Sequence, residues 1–184
     1  DTVIVNCAEC EPYLTSDYRI MMEKGEKIVG GLKVILSLFE NAKGIIAIED
    51  NKPDCIAKMQ ELVKDEPRIE VKVLKTKYPQ GAERQLIYAS TGRKINSSML
   101  PADVGCVVNN IDTVVAVYMA VCYSTPLIRR IVTITGDAIN TPRNFNVKTG
   151  TCYKDLIEPA GGFKTEPVKI VSGGPMMCMA LFSL

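Results

Sequence analysis

The sequence predicts an α/β domain built on a largely parallel sheet, followed by a smaller strand-rich domain. Three observations carry this. Strand-like and helix-like segments alternate up to about residue 126. The run Gly44-Ile45-Ile46-Ala47-Ile48 is continuously apolar, as in a strand covered on both faces. Beyond Pro126 the pattern turns to the β-branched alternation of Ile128 to Gly136.

In chain order, Val3-Ile4-Val5 is a short strand leading into the loop Asn6 to Pro12. Ser16 to Ala42 is helical, with Ser16 as cap and Ile20, Ile28, Leu32, Ile35 and Phe39 at helical spacing. Gly25 and Gly30-Gly31 cost about 1 kcal/mol each relative to alanine, so a break is expected near one of them. After the apolar strand, Lys52 to Lys64 is helical through Ile56, Met59 and Leu62. Ile69 to Leu74 alternates, as in a half-exposed strand towards a sheet edge. Such strand–helix–strand spacing implies parallel strands joined by right-handed crossovers.

Gln80 to Ser90 reads as a short helix behind Pro79, Thr91 to Asp103 as irregular chain, Cys106 to Val108 as a strand and Asp112 to Tyr123 as an apolar helix. Past a boundary near residue 126, strands are expected at 128–136 and 144–148, a short helix at Cys152 to Ile157 capped by Thr151, and a last strand at Val168 to Val171.

Composition narrows the chemistry. The chain has 184 residues, 47% hydrophobic and 23% charged, a globular composition. A formal charge of +1 advertises neither nucleic acid nor an acidic membrane surface. No apolar run approaches the roughly 18 residues of a spanning helix, so no direct membrane span is expected. With no histidine, His-activated nucleophiles and His-ligated zinc are excluded, leaving carboxylates, thiols or a cofactor. The seven cysteines are scattered and odd in number, which argues for a reducing compartment. Cys7 and Cys10 form a C-x-x-C pair, but Pro12 opposes the helix N-terminus that a redox dithiol uses and no second pair completes a metal site. The pair reads as incidental.

The loop Asn6-Cys7-Ala8-Glu9-Cys10-Glu11-Pro12 leaves the C-terminal end of a buried strand, where open α/β sheets place their ligand sites. An amide that donates and accepts, beside carboxylates that only accept, suits a polar ligand such as a flavin edge or a ribose. A polar loop closing a strand has the same composition.

This loop, with Leu14-Thr15 and Asp17-Tyr18-Arg19 behind it, resembles the C subunit of the Rnf electron transport complex, a ferredoxin:NAD+ oxidoreductase. More distantly it resembles the flavin-bearing NADH dehydrogenase subunit of respiratory complex I. Three further blocks follow in the expected order: Lys77 to Ile87 (Lys-Tyr-Pro-Gln-Gly-Ala-Glu-Arg-Gln-Leu-Ile), Val107-Val108-Asn109-Asn110, and Ser172 to Met177 (Ser-Gly-Gly-Pro-Met-Met). The resemblance implies an α/β flavin/NADH-binding domain over residues 1–126 and a small soluble-ligand-binding β-grasp (SLBB) domain over 127–184.

It also implies FMN and NAD(H) as cofactors. Asn6 corresponds to an asparagine that hydrogen-bonds the flavin, Glu9 lies near the ring, and Glu11 matches a carboxylate where the nicotinamide cofactor enters. Ala8 and Ala82 replace acids found in complex I, which favours the Rnf branch. Gly81 and Glu83 match residues lining the same pocket, and Tyr78 is a ring neighbour or an ordinary loop tyrosine. Asn109 and Asn110 match paired asparagines beneath the flavin; amides ahead of a helix are equally ordinary caps.

The glycine-rich phosphate loop of these families has no counterpart here, nor does the cysteine-rich segment that holds 4Fe-4S clusters, so the chain reads as a central fragment. The implied partners are the other subunits of an Rnf-type complex and ferredoxin or a similar carrier, at the cytoplasmic face of the cell membrane. A soluble reductase subunit of the same family, serving cobalamin or another acceptor, and a non-catalytic docking module are the alternatives.

Overall fold

A computed structural model describes residues 1–183. They form two compact units: one holds Asp1–Cys10 and Asp17–Pro126, the other Glu11–Ser16 and the described residues from Leu127 onward.

In the first unit, β1 (Thr2–Cys7), β2 (Lys43–Glu49), β3 (Ile69–Leu74) and β4 (Cys106–Asn110) form a parallel sheet in the order β3-β2-β1-β4. The helices are α1 (Ser16–Leu36), α2 (Pro53–Val63), α3 (Glu83–Thr91) and α4 (Ile111–Tyr123). Strand β3 lies at the edge; its burial follows the expected alternation from Ile69 to Lys72, but Val73 is exposed and Leu74 buried. The interior runs of β1 and β2 are almost wholly buried, because helices cover the sheet on both sides. Leu86 and Ile87 of α3 pack with Ile4, Ile45, Ala47 and Cys106 in one core layer. On α1, Gly31 meets Val114 of α4 and Gly25 meets Leu62 of α2, so α1 lies between those two helices. Gly31 has no room for a side chain: an added Cβ would fall on the carbonyl oxygen of Val114.

Three boundaries differ from expectation. Helix α1 has its kink at Lys24, beside Gly25 as expected, but stops at Leu36 rather than Ala42. Beyond it the Arg68 guanidinium donates to the carbonyls of Leu36, Phe39 and Ala42 at 2.8–3.1 Å, so these groups are satisfied outside a helix. Helix α3 starts at Glu83, three residues late, because Gln80 to Ala82 form a turn in which Gln80 N–H donates to Lys77 O and Ala82 N–H to Pro79 O. A 3-10 turn at Pro101–Val104 interrupts the segment expected to be irregular.

The second unit contains two antiparallel pairs, β5 (Arg129–Ile134) with β6 (Arg143–Lys148) and β7 (Ile170–Ser172) with β8 (Met179–Leu181). A single-turn helix, α5 (Lys154–Ile157), follows β6. Its N-cap is Tyr153; Thr151 instead donates its hydroxyl to Lys148 O, closing the turn after β6. The last expected strand is displaced to Ile170–Ser172, and β8 has no counterpart in the sequence reading because three residues are too few to show a period. A cavity of about 720 Å³ lies within this unit, walled by Ile134, Tyr153, Phe163 and Ile170 among others.

Candidate functional site

The strand order decides where a ligand site belongs. From β1 the chain steps outward to β2 and β3, then returns across the sheet to place β4 on the other side of β1. The carboxyl ends of β1 and β4 are therefore the switch point of the sheet, where the crossovers diverge and where open α/β sheets place a ligand crevice. Asn6 and Asn110 are register partners at that end, and Val5 pairs with Asn109.

Asn6 is engaged through both ends of its amide. Its Nδ2 donates to Gly81 O at 2.9 Å and its Oδ1 accepts from Ala8 N–H at 3.1 Å. The amide thus fixes the curve of its own loop and ties it to the loop before α3. Gly81 must be bare: an added Cβ would stand 2.5 Å from Ala8 O. Gly81 N–H also donates to Cys10 Sγ at 3.4 Å. Cys7, by contrast, is fully buried, and burial, reinforced by the nearby Asp17, pushes its thiol well above the ordinary range. It is kept as a neutral thiol, unlike a reactive thiolate.

Glu9 closes the start of α1. Its Oε1 accepts from Asp17 N–H at 2.8 Å and its Oε2 from Tyr18 N–H at 3.3 Å, satisfying two N–H groups that a helix leaves open. Asn110 does the same for α4: its Oδ1 accepts from Asp112 N–H at 2.9 Å. Its Nδ2 then donates to Asp17 Oδ2 at 3.2 Å, joining the first turn of α1 to the cap of α4. Asp17 belongs to a block that carries the resemblance, but the sequence alone assigns it no role. Burial, and next the charge of Glu9, lift its carboxyl from 3.8 to about 7.

The remaining expected residues separate. Glu83 is the exposed first residue of α3, and Asn109 is half-buried near the end of β4; neither side chain has a hydrogen-bond partner among the described residues. Tyr78 is 40% exposed and joined to Pro79 by a cis peptide bond. Glu11 lies in the second unit, where its Oε2 accepts from Met176 N–H at 3.0 Å and fills the space a side chain on Gly174 would need. So Asn6, Glu9, Gly81, Glu83, Asn109 and Asn110 share the carboxyl end of the first unit's sheet, while Glu11 binds the Ser172–Met177 block.

Two groups at this end escaped the sequence reading, Glu49 and Asp50, which close β2. Glu49 is 1% exposed, 3.7 Å from Lys52 Nζ, and its Oε2 has no hydrogen-bond partner among the described residues. Burial raises its carboxyl and the Lys52 charge opposes the rise. An acidic pair ending an apolar strand was the available signal. Among the described residues no group of three or more cysteine or acidic side chains is placed to hold a metal ion, and no helix is long and apolar enough to cross a membrane.

Residues 1–119 match the family described as the Nuo51 FMN-binding domain, and residues 131–180 match the SLBB domain. The chain is 50% identical over all 184 residues to the C subunit of the proton-translocating ferredoxin:NAD(+) oxidoreductase complex of Clostridium ljungdahlii, and covers 40% of that protein. It is 45% identical over 182 residues, 99% of its length, to the C subunit of the Na(+)-translocating complex of Acetobacterium woodii, covering 41% of it. It is 39% identical over 183 residues, its whole length, to the C subunit of the ion-translocating oxidoreductase complex of Yersinia pestis, covering 30%. The chain thus spans well under half the length of these curated relatives. Among solved structures it resembles an NAD+-reducing NiFe hydrogenase in its H2-reduced state, with a TM-score of 0.71, 21% identity, and coverage of 86% of this chain and 32% of that one. That likeness bears on the fold: a parallel-sheet α/β domain followed by an SLBB domain.

Proposed function

We propose a function from one premise: this chain belongs to the Nuo51 FMN-binding domain family, has an SLBB domain behind that domain, and groups with the C subunits of Rnf-type ferredoxin:NAD+ oxidoreductases. On that premise the crevice beside β1 and β4 is an FMN site, in a protein that moves electrons between NAD(H) and iron–sulfur carriers. The flavin domain is taken as residues 1–126 and the SLBB domain as 127–184. The 4Fe-4S clusters belong to parts of the protein outside this chain, the partners are the other subunits of the complex and ferredoxin, and the location is peripheral, at the cytoplasmic face of the cell membrane.

The observation that carries the reading is the pair of side chains without a hydrogen-bond partner among the described residues, Asn109 and Glu83, beside Asn6, Glu9 and Asn110, which are already engaged. A half-buried amide without a partner is costly unless a ligand or water completes it. FMN, when bound, supplies the redox chemistry; the protein's part is to hold and tune the ring. Asn109 is the amide offered to the ring and Glu83 the carboxylate at the crevice mouth. Asn6, Glu9, Gly81 and Asn110 act one step back, fixing the two loops and the two helix starts on which a bound ring rests. Tyr78 is the aromatic neighbour on the same loop as Gly81. Glu11 is the carboxylate assigned to NAD(H).

The test is a fluorescence-quenching titration of FMN against the full-length protein and its Asn109→Ala and Glu83→Ala variants. Each variant is expected to weaken binding by about tenfold, or about 1.4 kcal/mol. Unchanged affinity in both sinks the site.

A further inference from the structure

Strand β2 ends in Glu49, and Asp50 follows it; neither belongs to the groups assigned above, yet both reach the same loop. Asp50 Oδ1 accepts from Thr76 N–H at 3.0 Å and from the Thr76 hydroxyl at 2.6 Å, and Asp50 Oδ2 accepts from Lys75 Nζ at 3.0 Å. Asp50 N–H itself donates to Leu74 O at 2.8 Å, so backbone and side chain grip the exit of β3 together. Glu49 Oε1 accepts from Lys77 N–H at 3.4 Å. Gln80 Nε2 donates back to Lys75 O at 2.9 Å, closing the segment on itself. Beyond it, Gly81 is held from the β1 side by Asn6 and Cys10. The segment from Lys75 to Gly81 is therefore strung between two anchors, one at the end of β2 and one at the end of β1. Tyr78 lies between them and Glu83 just past the second.

We propose that Asp50, with Glu49 beside it, is a positioning residue that sets where Tyr78, Gly81 and Glu83 stand at the switch-point crevice. Residues 75 to 79 are exposed and belong to no helix or strand, so their placement depends on such side-chain and turn contacts. Glu49 ends a buried strand and Asp50 is the next residue, which makes them suitable fixed points. The Asp50 carboxyl is held down at about 2, first by the Thr76 hydroxyl, so it stays ionised and accepting at any physiological pH. Its consequence for a ligand rests on the FMN reading above; its grip on the loop does not.

The test compares Asp50→Ala with Asp50→Asn in the full-length protein. Asparagine keeps an oxygen for both Thr76 donors and loses the contact with Lys75, whose side chain is largely exposed and worth little. The first readout is limited trypsin cleavage after Lys77. Asp50→Ala is expected to speed this cut about tenfold, with Asp50→Asn within about twofold of wild type. The second readout is FMN affinity, expected about tenfold weaker in Asp50→Ala and within about threefold of wild type in Asp50→Asn. Equal effects of the two variants, or wild-type cleavage in Asp50→Ala, overturn the proposal. Faster cleavage with unchanged FMN affinity overturns the positioning role. If wild type binds no FMN, the flavin reading falls while the cleavage pattern still decides the anchor. Should Asp50→Ala fail to fold, Thr76→Val, which removes the 2.6 Å bond alone, is expected to speed the cut severalfold, and wild-type cleavage there overturns the anchor.

Discussion

In the first unit β1 and β2 are buried almost end to end, whereas no residue of β5, β6, β7 or β8 is fully buried. The difference is one of architecture. A parallel sheet needs helical crossovers, and these cover both faces and supply a core of Ile4, Ile28, Leu32, Ile46, Ile48, Met59 and Leu86, each at most marginally exposed. The second unit has two-stranded pairs, which are marginal by themselves. It is held instead by local geometry. Gly136, Gly150, Gly161, Gly162 and Gly173 take positive φ at its turns. Asn144 Nδ2 donates to Thr15 Oγ1, and Tyr153 and Ser172 share a 2.7 Å hydroxyl contact. Among the described residues only Ile139, Leu156 and Ala160 are buried apolar side chains there. One unit is made by burial, the other by turns.

The largest effect should follow from emptying the buried sheet. Ile46→Ala is expected to cost about 2–5 kcal/mol in urea unfolding, whereas Val132→Ala, on half-buried β5, should cost less than about 1.5 kcal/mol. Equal costs would break the contrast between the units.

A second prediction concerns the charge that the first unit buries. Asp17 binds a proton up to about pH 7 when folded but only to 3.8 when unfolded. Between those values the folded chain holds a proton that the unfolded chain has released, so stability falls as pH rises through that window. The group's contribution is complete below 3.8 and gone above about 7. Asp17→Asn should flatten this part of the melting-temperature profile and raise stability at about pH 8. A profile identical to wild type removes Asp17 as the group that carries this pH dependence.

The smallest effect belongs to the cap. Asn110→Ala should cost about 1 kcal/mol, since α4 loses its N-cap acceptor and Asp17 its donor. Urea midpoints for wild type and variant measure it. A neutral result would sharpen the comparison in another way, by showing that burial alone holds α4 to the sheet.

Much of this was legible from the residues. The apolar run at Gly44 to Ile48, the alternation at Ile69 to Leu74 and the helical spacing in α1, α2 and α4 each record a local environment, so each element appears near its expected place. The motif blocks identified the family. Less legible was what each polar residue does. Asn6, Glu9 and Asn110 sit in the motifs, yet their hydrogen bonds go to Gly81, to the start of α1 and to the start of α4. Asn6 and Gly81 stand 75 residues apart, and no periodic signal marks such a partnership. The Glu49-Asp50 dipeptide is equally unremarkable until its partners on the next loop are seen.

The sequence by itself determined that this chain is a parallel-sheet α/β domain with a small strand-rich domain behind it, because hydrophobic period is a local property of consecutive residues. Only the tertiary structure decided the order β3-β2-β1-β4, and with it the crevice that brings Asn6, Asp17 and Asn110 together. It also decided that Glu11 meets Met176 and that Asp50 holds Thr76. Those are contacts between distant segments, chosen by which faces pack and which buried polar groups must be satisfied.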